Sequence, residues 1–149
     1  MAYLFDGKTR AQILDRIRSI PLDRLPQWGK MNVAQMFAHC VLPFQVARGE
    51  LEMKRTLIGR IFGGMARKRF ISPEAFPRNL PTDKKFIVTG EKGAEVECER
   101  LIESVRRFGE GGDDGIRCTV HPFFGPMTPE DWDVLMWKHV DHHLRQFGV

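Results

Sequence analysis

Four separate stretches of this chain repeat apolar residues at steps of three and four, the period of a helix that buries one face. Ile13, Leu14, Ile17 and Ile20 form the first stripe, from about Thr9 to Ile20, and Pro21 ends it. The second helix opens on Asn32, a good N-cap, and carries Val33, Met36, Phe37, Cys40 and Phe44 toward Gly49. Pro43 lies inside it and cannot donate to the carbonyl of His39, so a kink is expected beside that histidine. The third helix spans roughly Gly93 to Phe108, with Ala94, Cys98, Leu101, Val105 and Phe108 along one seam. The fourth opens at Thr128-Pro129-Glu130-Asp131 and runs to about Phe147. Its N-cap threonine, first-turn proline and first-turn acids are a helix start signal.

A long connection from Ser72 to Val88, holding Pro73, Pro77 and Pro81, separates the second and third helices. Such a crossover suits a bundle whose neighbouring helices are not all joined by short hairpins. The expectation is therefore all-α: a single domain over residues 1–149, a four-helix bundle with a long crossover connection. One short extra basic helix is expected within residues 54–69, and Lys85-Phe86-Ile87-Val88 is the one stretch that reads as briefly extended. A domain of this length buries roughly 68–70% of its unfolded surface, so it needs neither disulfide nor metal merely to fold.

No run approaches the length of about 18 apolar residues needed to cross a bilayer, and the N-terminus lacks the basic start and apolar core of a signal peptide. Cys40, Cys98 and Cys118 are odd in number and far apart, which fits reduced thiols and a cytoplasmic location. Much of the net charge of +4 lies in Lys54, Arg55, Arg60, Arg67, Lys68 and Arg69, interleaved with Leu57, Ile58, Ile61, Phe62 and Met65. This pattern is read as the solvated basic face of an amphipathic helix, in preference to a phosphate-binding or membrane-surface patch. Neither a nucleic-acid nor a membrane partner is expected.

Three of the five histidines crowd the last helix, in Lys138-His139-Val140-Asp141-His142-His143. His139 and His143 are four residues apart, hence on one face and about 6 Å apart along the axis. Trp132, Leu135 and Met136 continue that stripe, which turns both imidazoles inward. The i,i+4 spacing is how a helix offers two ring nitrogens to one ion. Spacing alone leaves this open against two core histidines satisfied by side chains such as Asp15 or Gln35. His39, near Met36 on the second helix with Gln35 one turn before it, is the candidate for a third imidazole. His142 lies about 60° around the helix from His139, at the rim of the stripe.

The segments Met31-Asn32-Val33-Ala34-Gln35-Met36-Phe37-Ala38-His39 and His139-Val140-Asp141-His142-His143-Leu144-Arg145-Gln146 resemble those of the DinB-like superfamily of metal-dependent enzymes. That superfamily includes the YfiT-like thiol transferases. The first segment is similar to its Q-x-x-x-H helix and the second to its C-terminal H-x-x-H-H-x-x-Q segment. The tail from His121 to Gly148 looks like an uncharacterised branch. The resemblance implies a divalent metal, Zn, Ni, Mn or Fe, on His39, His139 and His143, with Gln35, His142 and Gln146 as supporting or rim residues. It also implies a low-molecular-weight thiol or other small anionic substrate, and a homodimer, an expectation that rests as well on apolar residues with no evident place in the helix stripes, Phe62, Phe70, Phe76, Phe123 and Phe124 among them.

Three imidazoles do not complete a metal's coordination, and an open position marks a catalytic rather than a structural site. Such a position could activate a thiol or a water, and the resemblance implies thiol transfer. A metal-dependent hydrolase, with His142 or His121 as base, and a non-catalytic scaffold or dimer tied together by the ion are the alternatives. Arg145 or the basic residues 54–69 are candidates to hold an anionic substrate at the mouth.

Overall fold

Four of the five α-helices begin on a side chain that accepts an amide hydrogen bond from the third helical residue. The computed structural model describes residues 3–149. In it Asp6 caps α1 (Gly7–Ser19), Asn32 caps α2 (Val33–Ala47), Thr56 caps α3 (Leu57–Phe70) and Thr128 caps α5 (Pro129–Gln146). Each cap satisfies one of the amides a helix start leaves orphaned. In α2 and α5 the third residue, Gln35 or Asp131, returns a bond to the cap's own amide. Only α4 (Ala94–Gly111) starts without a side-chain cap, on Gly93.

The chain is mostly helical, as the periodicity predicts. Helix α2 contacts both α4 and α5, and α1 contacts the same two. Being flanked on two sides, α2 buries eleven of its residues, and Phe37 and Phe44 are fully enclosed. Phe108, Trp132, Leu144 and Phe147 complete the centre of a single core. Helix α2 runs unbroken through Pro43. Asp133, buried on α5, accepts from the amides of Leu4 at 2.6 Å and Phe5 at 3.2 Å and so pins the segment before α1 to α5. Burial raises its carboxyl to about 6.

The basic segment forms a helix of 14 residues, longer than the short element expected. Only Gly59 and Gly63 are buried in α3, and both face the turn at Phe123. A Cβ at Gly59 would lie 2.6 Å from the Phe123 carbonyl oxygen, and one at Gly63 would overlap the same oxygen. The other side of α3 is not simply a solvated basic face. Leu57, Ile58, Ile61, Phe62 and Met65 are all exposed, while Arg67 pairs with Asp131 and Arg69 with Glu74.

Two departures from expectation concern short elements. Residues Lys84–Phe86 form a 3-10 turn rather than an extended stretch. Two two-residue strands, Val120–His121 (β1) and Gly125–Pro126 (β2), pair antiparallel around the Phe123 turn. The phenylalanines with no evident place in the helix stripes divide. Phe70, Phe76 and Phe124 pack together, with ring centroids 4.9 Å apart from Phe70 to each of the others, whereas Phe62 protrudes. No helix of the described residues is long and apolar enough to cross a membrane.

Candidate metal centre

Helix α5 carries His139 and His143 one turn apart, and α2 carries His39 opposite them. The three rings meet with centroids 4.8–5.0 Å apart. One ring nitrogen from each lies within 4.8 Å of the other two. The closest approach joins Nε2 of His39 to Nε2 of His139, at 3.1 Å. His39 and His143 are buried; His139 is partly exposed as a residue, yet its Nδ1 is sealed from solvent.

The protons on two of the rings follow from their partners. Nδ1 of His39 lies 2.7 Å from the carbonyl of Phe86, which can only accept, so Nδ1 carries the proton and Nε2 the lone pair. His143 is fixed at one remove. Gln146 donates its Nε2 to the carbonyl of Trp28 at 2.7 Å, which turns its Oε1 toward Nδ1 of His143, 2.8 Å away. That nitrogen therefore donates, and Nε2 of His143 is again a lone pair. Gly29 makes room for this chain: its φ is +80°, and a Cβ there would stand 2.6 Å from Nε2 of Gln146. A ring nitrogen bonded outward and a lone pair turned inward is the usual condition of a ligand histidine.

His139 is the least satisfied of the three rings. Its Nδ1 is buried with no hydrogen-bond partner among the described residues. With its proton on Nε2 it can donate to His39, which leaves a bare lone pair orphaned at Nδ1. With its proton on Nδ1, a buried N–H is orphaned and two lone pairs face each other across 3.1 Å. The first arrangement is satisfied at Nε2 by His39, the second is favourable only with a cation between the lone pairs, and Nδ1 lacks a partner in both. Two nitrogens at about 2.0–2.1 Å from one ion, subtending about 90–110°, stand about 2.8–3.4 Å apart, so the His39–His139 separation fits a shared ion as well as it fits the hydrogen bond of the first arrangement.

Burial lowers the pKa of all three rings. His143 falls to about 3, with His39 adding to the effect, and His139 falls well below its ordinary value, with His143, His39 and His142 adding. All three imidazoles are thus neutral at pH 7 and free to coordinate. No cysteine or carboxylate belongs to the cluster. Cys40, Cys98 and Cys118 are free thiols, and burial raises each of them. A group of three His could hold a metal ion, and with no anionic ligand an ion there would keep its full charge.

The other residues singled out by sequence fall in different places. Gln146 bonds a cluster imidazole directly. Gln35 does not: it caps α2 and donates to the carbonyl of Gly90 at 3.1 Å. It acts one step away, by anchoring the loop that presents the Phe86 carbonyl to His39. His142 stands edge-on to His143, centroids 5.2 Å apart, outside the cluster. Asp15 is paired with Arg18 on the surface. His121 belongs to the hairpin. Its Nδ1 accepts from the amides of Phe123 and Phe124 at 3.1 Å, and burial, with Arg55 nearby, lowers it to about 4. Sequence reasoning did not find the Phe86 and Trp28 carbonyls, because a backbone acceptor leaves no mark on residue type.

A family model matches residues 7–148 of the chain, and it describes a protein of unknown function, DUF1569. The chain belongs to that family. No curated protein and no solved structure matches it. In this DUF1569 chain both helices that carry the cluster, and the Trp28–Gly29 segment that orients Gln146, lie inside the matched span.

Proposed function

We propose that His39, His139 and His143 hold one divalent ion, Zn, Ni, Mn or Fe, in a four-helix bundle of the DinB-like kind, and that the protein is a metal-dependent enzyme. The observation that carries the reading is the convergence of three neutral imidazoles with no anionic ligand among them. A divalent ion so held lowers the pKa of a thiol or water that reaches it. Thiol transfer is the reaction proposed. The chain's own contribution is positional: Phe86 and Gln146 fix two rings, and burial keeps all three unprotonated. Hydrolysis by a metal-bound water is the alternative, with His142 beside the cluster as the base, since His121 is committed to the turn of the hairpin. The exposed apolar side of α3, together with the family resemblance, supports a homodimer, which light scattering at high concentration would refute by showing monomer alone.

The test is elemental analysis of the purified protein, followed by titration of the metal-loaded form with glutathione and cysteine under absorption or X-ray absorption spectroscopy. Ligand exchange that disappears in His143→Ala supports the proposal. If no thiol, anion or water enters the coordination sphere, the ion is a tie between α2 and α5 and the protein is a scaffold.

A further inference from the structure

Beside the histidine cluster, a cleft of about 470 Å³ opens between the Gln27–Trp28 segment, residues 72–78 and the outer stripe of α5. This volume lies within the range of small-molecule sites. Trp28, Phe76 and Trp137 supply flat apolar surface. None of the basic residues 54–69 lines it; of the sequence candidates for holding an anion, only Arg145 does.

The charge of the lining is one-sided. Arg78, Lys138 and Arg145 face a single carboxylate, Asp141. That carboxylate is already taken by two arginines, with Arg16 at 2.7 Å from Oδ1 and Nε of Arg145 at 2.8 Å from Oδ2. Both terminal nitrogens of Arg145 are thereby left without a partner among the described residues. Arg78 lies over the Trp28 ring at 4.3 Å and pairs with no carboxylate among the described residues. Lys138 donates to the carbonyls of Phe70 and Ser72, both at 2.6 Å, which orients its charge without neutralising it. A cation would meet net repulsion here, and a fully apolar ligand would strip water from two arginines and return nothing. His142 forms the inner wall, 5.7 Å from Trp28, 5.9 Å from Phe76 and 5.2 Å from His143, centroid to centroid.

We propose that this cleft binds a small organic anion with a flat apolar body, the body lying among Trp28, Phe76 and Trp137 and the anionic group bonded by Arg78 and Arg145. As a binding site it stands on these contacts alone. As the seat for the non-reacting part of a substrate, with His142 between it and the ion, it rests on the metal-centre reading above.

Intrinsic fluorescence reads the cleft directly, since Trp28 and Trp137 line it and Trp132 is enclosed in the core. The probes are 4-nitrobenzoate and its neutral isostere 4-nitrobenzamide, titrated into full-length protein freed of metal with EDTA, and into the zinc-loaded form. The expected result is saturable quenching by the acid in both forms, with the amide about tenfold weaker. Arg78→Gln and Arg145→Gln, both at exposed positions, should each weaken the acid about tenfold, the loss expected for one charge-assisted hydrogen bond. Equal affinity for acid and amide, or unchanged affinity in both arginine variants, overturns the proposal. Quenching seen only with zinc and abolished in His143→Ala would put the anion on the ion instead, which defeats the cleft and supports the metal centre. Saturable acid-selective quenching in a protein that takes up no divalent ion upholds the cleft and defeats the metal centre.

Discussion

Gly29→Ala changes one hydrogen atom to a methyl group, yet it should disturb His143 through two intervening contacts. The backbone there has φ +80°, a left-handed conformation that costs an alanine about 1–2 kcal/mol. The new Cβ would stand 2.6 Å from Nε2 of Gln146, against ordinary contact from 3.4 Å, so the amide must retreat by about 0.8 Å. That stretches its bond to the Trp28 carbonyl, now 2.7 Å, and its bond from His143, now 2.8 Å, beyond useful length. Each is worth about 0.5–1.5 kcal/mol, so the total destabilisation should be about 2–5 kcal/mol. Loss of the partner that orients a ligand histidine should also weaken metal affinity about 10–100-fold. Gly148→Ala is the control. It has the same strain, φ +81°, but its Cβ crowds only the end of exposed Gln27, with exposed Arg24 in ordinary contact at 3.8 Å, so about 1–2 kcal/mol should be lost and no metal affinity. Urea unfolding of the metal-free proteins and zinc competition against a chromophoric chelator measure the two quantities. If Gly29→Ala matches Gly148→Ala in both, the Trp28–Gln146–His143 chain does not hold the imidazole, and the argument for its tautomer fails.

Alanine at His39, His139 or His143 should abolish tight divalent-metal binding, read by elemental analysis after dialysis, while His142→Ala should reduce it by much less. Acidification should destabilise the metal-free protein. The three cluster histidines have lowered pKa values in the fold, His143 to about 3 from 6.5, so the unfolded chain binds more protons between those limits. Stability is full above about pH 6.5 and is lost as pH falls toward 3. Asp133, raised to about 6 from 3.8, acts in the opposite direction between those values and offsets part of the loss. Urea midpoints at pH 7.5 and pH 5 in EDTA should show a lower value at pH 5; an equal or higher one refutes the buried neutral cluster. Asp133→Ala strips the acceptor from the amides of Leu4 and Phe5 and should cost about 2–4 kcal/mol by the same assay, with zinc affinity unchanged.

What sequence reveals here divides along physical lines. The starts of α2 and α5 are legible to the residue, because an Asn or Thr cap followed by the right third residue is a local device. The end of α4 is not. Gly109 reads as a stop, but the helix continues to Gly111, and the missing side chain makes room for the Leu4 carbonyl, 2.5 Å from where its Cβ would be. That contact comes from the other end of the chain. The convergence of His39, His139 and His143 is legible because one pair is fixed by helical spacing and the third sits on an apolar stripe. The hairpin is hidden, since two-residue strands are too short to alternate. So is the cleft: Trp28, Phe76, Arg78 and Arg145 come from three regions with no shared pattern. The apolar side of α3 was visible as composition, but which side faced outward depends on two glycines meeting a distant turn.

Helix α3 has a consequence for how the molecule opens. It buries two glycines and no large side chain, where α2 and α5 each bury eleven residues. A segment with so little enclosed apolar surface detaches far below the free energy of global unfolding, so the amides of α3 should exchange with solvent through a partial opening that leaves the other helices intact. Its C-terminal end is tethered by Lys138, whose amine holds the carbonyls of Phe70 and Ser72. When α3 leaves, that ammonium loses the Phe70 carbonyl and keeps only that of Ser72, which belongs to the opposite wall of the cleft. In such an opened form the cleft wall would carry a less committed cation, and an anion that fills the cleft should favour that form in proportion to how much better it binds there.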